Sequence, residues 1–265
     1  TTLSNQATIA LENARLYEDI SRAKVQMQRA DRLASLGTLT AGLAHEIRNP
    51  LVAIKTFTQL LPERFDDSEF REHFLSVTAG EVDRISSLVT ELLDFARTSQ
   101  PKLNKEYHNQ VVEKMIMLVD NESHKNNVQV VKDYYDFFLP IVLDREQIKN
   151  VMLNIFLNDV DANPEDGTIS VSTKPVKKNG YLDYVKIIIS DTGKGIAGED
   201  LDKVFSPFYT TKHEGSGLGL AISHQIIQEH QGTIEVESTK DQGTTFRINL
   251  PVTPLHIQED TQRSQ

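Results

Sequence analysis

The chain has 265 residues, 38% of them hydrophobic and 25% charged, which is a globular composition and excludes wholesale disorder or a fibrous repeat. The formal net charge of −10, without a basic block, argues against nucleic-acid binding, and the absence of cysteine excludes disulfides and zinc–thiolate sites. The length suits two domains, each with its own core. No run approaches the roughly 20 apolar residues of a membrane span and no signal peptide opens the chain, which predicts a cytoplasmic location.

The chain begins with one long predicted helix, from about residue 9 to residue 61, in which apolar residues recur at helical spacing. In its first half, steps of four and three residues alternate along a seam of apolar and small side chains, which is typical of a parallel coiled-coil dimer. The seam residues are Leu16, Ile20, Ala23, Met27, Ala30 and Ala34.

A turn and a second helix follow. The sequence PERFDDSEF, from Pro62, carries turn signals, and Ser68 is a candidate cap for the next helix. That helix ends before Pro101, and two such hairpins in a dimer predict a four-helix bundle. Its apolar face consists of Phe74, Val77, Leu88, Leu92 and Phe95.

The sequence pattern changes after Pro101, from helical spacing to mixed strand and helix signals. Segments rich in β-branched residues predict strands within 128–135, 141–144, 168–174, 183–191, 233–238 and 244–250, and a helix is predicted from about Glu146. This pattern predicts an α+β domain of two or three layers over roughly residues 103–252, followed by a polar tail at 253–265.

The stretch HEIRNP interrupts the apolar pattern of the first helix with polar residues and a proline. His45 lies about 200° around the helix from the apolar seam and is predicted to point to solvent, with Asn49 one turn further on. Pro50 cannot donate to the carbonyl of Glu46, so a bend is expected there. If Glu46 accepts one ring N–H, the other ring nitrogen is a competent nucleophile for phosphorus, and Asn49 could orient a water for hydrolysis. The alternative is a surface helix with a chance histidine.

A second polar set lies on the helix of the α+β domain. Asn150, Asn154 and Asn158 are four residues apart and share one face, although asparagine is a mediocre helix former. A carboxamide oxygen is a hard, neutral ligand that suits magnesium, which takes its remaining ligands from water and phosphates. The alternative is an exposed polar face without a ligand.

The stretch IIISDTGKGI predicts a strand that delivers Asp191 at its end. Gly193 and Gly195 then let the backbone approach a flat group, and the aspartate could accept the exocyclic amine of a purine. In the final strand, Thr244 could touch the same base while Phe246 packs in the core. The alternatives are a tight turn and two side chains that simply fill the sheet.

A glycine-rich loop precedes the last predicted helix, which starts near Leu218. Gly215, Gly217 and Gly219 would expose backbone N–H groups to an anion at the helix N-terminus. The loop is neither a Walker A sequence nor a dinucleotide-binding fingerprint, because the residues and spacing that define them are missing.

Five motifs follow each other along the chain: His-Glu-x-x-Asn-Pro, the Asn-rich helix, Asp-x-Gly-x-Gly, Phe-x-Pro-Phe-x-Thr-Thr-Lys at 205–212, and Gly-x-Gly-Leu-Gly-Leu. In this order they resemble the sensor histidine kinases of two-component signalling, over residues 30–252. The resemblance implies an all-α dimeric helical hairpin, a four-helix bundle in the dimer with an N-terminal coiled coil. This is followed by an α+β two-layer sandwich that binds ATP, of the type shared with gyrase, Hsp90 and MutL. It implies a signalling helix at 1–30, similar to the exit helix of a GAF sensor domain, a phosphotransfer domain at 31–100, a catalytic domain at 103–252 and a tail at 253–265.

The resemblance also implies roles for individual residues. His45 matches the phosphorylated histidine, Glu46 its general base, and Asn49 the position used in dephosphorylating the partner. Asn158 matches the magnesium-binding asparagine, and Asp191 matches the adenine-reading aspartate. The implied nucleotide-binding set, including a mobile lid at 210–212, is Asn154, Asn158, Asp191, Gly193, Gly195, Ile196, Thr210, Thr211, Lys212, Gly215, Ser216, Gly217, Leu218, Gly219 and Thr244.

The implied activity is ATP- and Mg²⁺-dependent autophosphorylation of His45 in a homodimer, followed by transfer to an aspartate of a response regulator receiver domain. The alternatives are an ATP-driven clamp of the gyrase, Hsp90 and MutL type and a dimeric scaffold whose nucleotide site has decayed.

Two residues depart from the family pattern. Asp159 replaces a small residue after Asn158, and Asn163 replaces an apolar one. A carboxylate near the triphosphate could repel it by about 4 kcal/mol, or recruit a cation, so ATP affinity is the property in question.

Overall fold

The computed structural model describes residues 8–9, 12–13, 15–16, 19–20, 23, 26–27, 40–96, 101–135, 140–163, 166–178, 181–212 and 215–252. The chain divides into two compact units, Thr1–Ser99 and Gln100–Gln265. Among the described residues, no helix is both long enough and apolar enough to cross a bilayer. The first unit is helical and the second combines helices with a sheet, as the sequence predicts.

The described residues between 8 and 27 are all helical. Four seam residues of the predicted coiled coil are among them and are exposed in the single chain, while Ala30 and Ala34 lie outside the described residues. The exposed four are Leu16, Ile20, Ala23 and Met27. The parallel dimer along this seam stays a prediction.

The first unit contains a hairpin of helices α1 (Thr40–Leu60) and α2 (Ser68–Ala96). Its core includes Phe57 of α1, whose ring centroid lies 5.9 Å from that of Phe70 and 6.5 Å from that of Phe74. Asp67 caps α2, because its Oδ1 accepts from the N–H of Phe70 at 3.1 Å. The predicted cap, Ser68, is instead the first residue of the helix, so that prediction was wrong by one position.

The outer face of α2 carries a row of exposed apolar residues. Leu75, Val82 and Val89 follow each other at steps of seven and are 65%, 49% and 42% exposed in the single chain. The predicted face of Phe74, Val77, Leu88 and Leu92 is the inner one: Leu88 is buried and the other three are partly buried. The side chain of Phe95 lies outside the described residues. This heptad-spaced apolar row lies about 100° around the helix from the inner face, and such a row is typical of a helix that a second helix pair covers.

The second unit is a two-layer sandwich. Its strands are β1 (Asn104–Glu106), β2 (Gln129–Tyr134), β3 (Ile141–Leu143), β4 (Thr168–Lys178), β5 (Tyr181–Asp191), β6 (Thr233–Thr239) and β7 (Gly243–Pro251). Its helices are α3 (His108–Lys125), α4 (Arg145–Ala162) and α5 (Gly219–Glu229), with a 3₁₀ helix at Gly198–Lys203. The main sheet has the order β2-β4-β5-β7-β6, and β1 pairs with β3 in a separate small sheet.

The core of this unit lies between the three helices and one face of the main sheet. Alternate residues of the central strands are buried, among them Ile187, Ile189 and Phe246, and they form one cluster with Ile155 and Phe156 of α4. The strand pairs are antiparallel except β2 with β4. Helix α4 packs against α3 and α5 and contacts β5 and β7 of the sheet.

Candidate functional site

The carboxyl of Asp191 is fixed at the end of β5. It is 6% exposed, and its Oδ1 accepts from the N–H of Gly193 at 2.6 Å, while its Oδ2 accepts from the N–H of Thr244 at 3.0 Å. Burial raises the pKa of Asp191, and the backbone hydrogen bonds from Gly193 and Thr244 act in the opposite direction. Two backbone donors thus hold this acceptor group in one orientation between the following turn and β7.

The turn after Asp191 packs against β6 and its following turn. Gly195 has φ = +63°, and a Cβ there would overlap the carbonyl oxygen of Thr239. The N–H of Ile196 donates to Ser238 Oγ at 2.8 Å, and the same hydroxyl lies 3.1 Å from Thr244 Oγ1. The structure therefore requires glycine at 195 for a close backbone approach within the fold, in addition to any approach by a base.

The three asparagines of α4 have different environments. The helix is capped by Asp144, whose Oδ1 accepts from the N–H groups of Glu146 and Gln147. Asn150 is exposed. Asn154 Nδ2 donates to the carbonyl of Gly219 at 3.1 Å and lies 3.4 Å from Ser223 Oγ, so this side chain joins α4 to the first turn of α5.

Asn158 faces a cation. Its Oδ1 accepts from Lys212 Nζ at 2.8 Å, and the same ammonium lies 2.7 Å from Oδ2 of Asp161, one turn further along α4. Thr210 Oγ1 accepts from the N–H of Lys212 at 3.0 Å, which fixes the start of this segment, and Thr211 is exposed. The segment 210–212 thus brings its positive charge onto the face of α4 that carries the Asn158 carboxamide.

The glycine-rich loop folds back on the segment before it. Gly217 has φ = +67°, a Cβ there would lie 2.5 Å from the backbone carbon of Phe208, and the N–H of Phe208 donates to the carbonyl of Gly217 at 2.9 Å. Ser216 Oγ accepts from the N–H of Leu218, a buried residue that immediately precedes α5. A Cβ at Gly215 would lie 2.8 Å from Thr210 Oγ1, whereas one at Gly219 would make ordinary contacts with Asn154.

The two departures from the family pattern have distinct structural positions. Asp159 is 2% exposed, and its Oδ2 has no hydrogen-bond partner within the described part of the chain. Burial raises its pKa well above the usual range, the charge of Asp191 adds to this, and Lys212 opposes it. Asn163 is the C-cap of α4: its Nδ2 donates to the carbonyl of Asp159 at 2.7 Å, and its Oδ1 accepts from Thr192 Oγ1 at 3.1 Å. Asn163 therefore has a helix-ending role that explains its polar character.

In the first unit, His45 lies within α1, and its side chain is outside the described part of the chain. Its predicted outward orientation stays a prediction. Oε2 of Glu46 lies 3.6 Å from Nη2 of Arg84 on α2, and the two side chains are 25% and 21% exposed. Asn49 is exposed and Pro50 is buried within the helix.

The structure brings the predicted residues of the second unit together in two groups. Asp191 meets Gly193 and Thr244 at one end, and Asn158 meets Lys212 at the other. The sequence did not single out Asp161 and Ser238, which contact these groups, or Arg84, which contacts Glu46 within the first unit. A signal existed for Asp161, because it lies three residues after Asn158 and so on the same helix face. Arg84 and Ser238 carried no such local signal.

Two family models match the chain. The His Kinase A (phospho-acceptor) domain matches residues 35–101, and the histidine kinase-, DNA gyrase B-, and HSP90-like ATPase matches residues 143–254. Sporulation kinase E of Bacillus subtilis (strain 168) is 37% identical over 243 residues, which are 91% of this chain and 32% of that protein. Sensor histidine kinase ZraS of Escherichia coli (strain K12) is 37% identical over 227 residues, which are 86% of this chain and 48% of that protein.

Among solved structures, the crystal structure of histidine kinase ThkA in complex with the response regulator protein TrrA matches with a TM-score of 0.75 and 29% identity. The match covers 88% of this chain and 66% of that chain. The chain spans about a third to a half of the length of the two curated relatives. The phospho-acceptor model matches the first unit and the ATPase model matches the second, which is the order that the motifs predict. The second unit is an ATP-binding domain of the ATPase family. The chain belongs to the sensor histidine kinases of two-component systems.

Proposed function

We propose that this protein is an ATP-dependent histidine kinase that autophosphorylates His45 and passes the phosphoryl group to an aspartate of a response regulator. The observation that carries the proposal is the presence, on one chain, of a helix with His45 and Glu46 and of an ATPase-family unit with the fixed carboxyl of Asp191. The proposed domain boundaries are 31–100 for phosphotransfer and 103–252 for catalysis, and the proposed location is the cytoplasm.

The nucleotide would bind by its two ends. At one end, Asp191 accepts an N–H of the exocyclic amine of adenine, because its carboxyl is oriented by two backbone donors and retains further lone pairs. At the other end, the backbone N–H groups of 215–219 at the start of α5 and the ammonium of Lys212 meet the phosphates. The remainder of the implied nucleotide-binding set stays a proposal on the same basis.

The residues present fit a magnesium ion. Asn158 Oδ1 is a neutral, hard oxygen that already accepts from a cation, the ammonium of Lys212. Among the described residues, no group of three or more His, Cys, Asp or Glu could hold a metal. The ion would therefore take Asn158 together with phosphate oxygens and water, and once bound it would neutralise charge on the triphosphate.

The transfer step uses an imidazole as nucleophile. A ring nitrogen lone pair of His45 attacks the γ-phosphorus of ATP, the bond from that phosphorus to the bridging oxygen breaks, and ADP leaves. The proton of the other ring nitrogen passes to Glu46, whose carboxylate Arg84 holds near α2. Most of the rate enhancement in such a step comes from positioning and charge neutralisation.

The proposed activity also requires two protein partners, a second copy of this chain and a response regulator. A homodimer is proposed because the row of Leu75, Val82 and Val89 is exposed in the single chain. The relative ThkA was solved in complex with a response regulator, and a receiver domain is the proposed partner here too. Asn49 is exposed on α1, where it could orient water for hydrolysis of the phosphorylated regulator.

Incubation with ATP labelled at the γ-phosphate tests the proposal. Acid-labile, base-stable label on the protein, lost in the variant His45→Ala, supports the kinase. Release of free phosphate without protein label would instead indicate an ATP-driven clamp, and neither product would indicate a scaffold. Label that persists on His45→Ala would contradict the assignment of His45.

A further inference from the structure

Helix α4 carries a buried carboxyl group with one oxygen that has no hydrogen-bond partner among the residues that the structure describes. Asp159 is 2% exposed, and its Oδ2 accepts no hydrogen bond from any described residue. More than nine in ten buried polar groups in native proteins are hydrogen-bonded, and an isolated buried carboxyl is costly. In a binding domain, such an unpaired carboxyl oxygen indicates that a bound ligand supplies the hydrogen-bond donor.

Asp159 lies at the end of the site where Asp191 is held. The turn after Asp191 packs against the C-terminal end of α4, because the N–H of Lys194 donates to the carbonyl of Ala162 at 3.0 Å. The charge of Asp191 raises the pKa of Asp159, and that of Lys212 lowers it. The oxygens of Asp191 are already oriented by the N–H groups of Gly193 and Thr244. Asp159, three residues before Ala162, therefore lies at the end of α4 that contacts the turn after Asp191, and no donor among the described residues bonds to its Oδ2.

We propose that Asp159 is a second base-reading residue, which together with Asp191 accepts the two N–H hydrogens of the exocyclic amine of an aminopurine. This inference rests on the proposed function, since it assumes that the purine binds at Asp191. An amine on the purine ring offers two donors, which two neighbouring acceptors match. A base with a carbonyl oxygen at that position has neither of these N–H hydrogens and loses both hydrogen bonds. A carboxyl group retains an acceptor oxygen in either of its protonation forms.

The contrasting role for Asp159 is purely electrostatic. A second carboxylate in the site would then repel the triphosphate and weaken every nucleotide by the same factor, whatever its base. The two roles predict opposite results when the side chain is removed. Base reading predicts a loss of affinity that depends on the amine, and repulsion predicts a gain that does not.

The experiment measures dissociation constants of the full chain for ATP, N6-methyl-ATP and inosine triphosphate by calorimetry. The variants are Asp159→Ala and Asp159→Asn, with Asp202→Ala as a control that removes one negative charge from the exposed 3₁₀ helix. Thermal melting of each variant reports folding. The wild type should bind N6-methyl-ATP about tenfold or more weakly than ATP, because the methyl group replaces one of the two amine hydrogens that bond to the carboxyl groups.

Asp159→Ala should bind ATP about tenfold more weakly, and its preference for ATP over N6-methyl-ATP should fall to near one. Asp159→Asn, which keeps an acceptor oxygen, should retain part of that preference, and Asp202→Ala all of it. An unchanged preference in Asp159→Ala, or equally tighter binding of all three nucleotides, overturns the inference and leaves the kinase proposal intact. Failure of the wild type to bind any nucleotide overturns both.

If Asp159→Ala does not fold, the wild-type series decides alone. A site with Asp191 as its single acceptor tolerates one methyl group, because the remaining N–H can turn toward Asp191. A wild type that binds N6-methyl-ATP as tightly as ATP therefore overturns the inference without any variant.

Discussion

Asn154 and Asn158 lie one helical turn apart on α4 and present opposite ends of their carboxamides: Asn154 donates from Nδ2 to the carbonyl of Gly219, whereas Asn158 accepts through Oδ1 from Lys212 Nζ. The same residue type on the same helix face therefore joins two helices in one case and meets a cation in the other. This difference makes the pair a natural comparison between structure and binding.

Replacement of Asn158 by alanine should remove binding without loss of stability. Asn158→Ala loses an oxygen that faces a cation, so we expect Mg²⁺-ATP affinity to fall at least tenfold while the melting temperature stays near that of the wild type. Asn154→Ala is the matched variant and should lower the free energy of unfolding by about 1 kcal/mol, because it removes the bond to α5. Calorimetry and urea unfolding measure the two effects, and equal loss of stability in both would contradict this division.

Replacement of Gly217 by alanine should distort the glycine-rich loop. A Cβ at this residue would lie 2.5 Å from the backbone carbon of Phe208, and the φ of +67° is unfavourable for any L side chain. We expect Gly217→Ala to lose about 1–3 kcal/mol of stability and to bind ATP more weakly. Gly198→Ala is the control, since a Cβ there meets nothing within 4 Å. Similar behaviour of the two variants would show that the loop is not constrained in this way.

The second unit should lose stability as the pH falls, in part through His230. The buried ring accepts from the N–H of Asp144 through Nε2 at 2.9 Å, and its Nδ1–H donates to the carbonyl of Ile226 at 2.8 Å. Burial lowers the pKa of His230 below 6.5, while its contacts with Ile226, Asp144 and Glu229 act in the opposite direction. Because the unfolded chain binds the proton more readily, this stabilisation is complete above pH 6.5 and is lost as the pH falls toward the folded-state pKa.

His230→Gln removes this titration. Urea unfolding at pH 7.5 and pH 5.5 should show a smaller difference between the two pH values for the variant than for the wild type. An equal difference would mean that other groups account for the acid sensitivity. His108, whose pKa burial lowers to about 4, is the first such group to replace, since its effect has the same sign.

Loss of the Glu46 carboxylate should slow autophosphorylation without unfolding the hairpin. General-base catalysis contributes roughly 10²- to 10⁴-fold, so we expect Glu46→Gln to lower the single-turnover rate by a factor in that range. Glu63→Gln, on the exposed turn between the two helices, is the control and should leave the rate unchanged. Arg84→Met removes the ion pair at 3.6 Å and should lower the rate by a smaller factor than Glu46→Gln, because the base itself remains. A Glu46→Gln rate equal to that of the wild type would rule out the proposed base.

The sequence predicted those parts of the fold that have a local signal. Runs of β-branched residues located β5 and β7 to within two residues, because an alternating buried strand depends on its own side chains. Strand β1 was not predicted, since its three residues pair with β3 only through contacts with distant parts of the chain. Helix α3 was also not assigned, although Val111, Met115 and Val119 do recur at helical spacing.

The site was predicted in outline and not in its contacts. Motif order placed Asp191 and Asn158 in one domain, but the bond from Lys212 to Asn158 spans 54 residues and has no local signature. Asp159 was expected near the triphosphate because it directly follows Asn158, with no effect expected if its side chain points away. The structure buries it beside Asp191 instead, because the register of α4 turns it toward the core. Burial of a single polar residue depends on tertiary packing, which a sequence pattern does not encode.

Asp144, which caps α4, also accepts a second hydrogen bond, and this bond matters for the design of fragments. While Oδ1 of Asp144 caps the helix, its Oδ2 accepts from the main-chain N–H of Lys102 at 2.7 Å, just before β1. A catalytic fragment that starts after Lys102 loses this donor and leaves one side of the capping carboxylate to water. Expression of the isolated ATP-binding unit should therefore begin at or before Pro101.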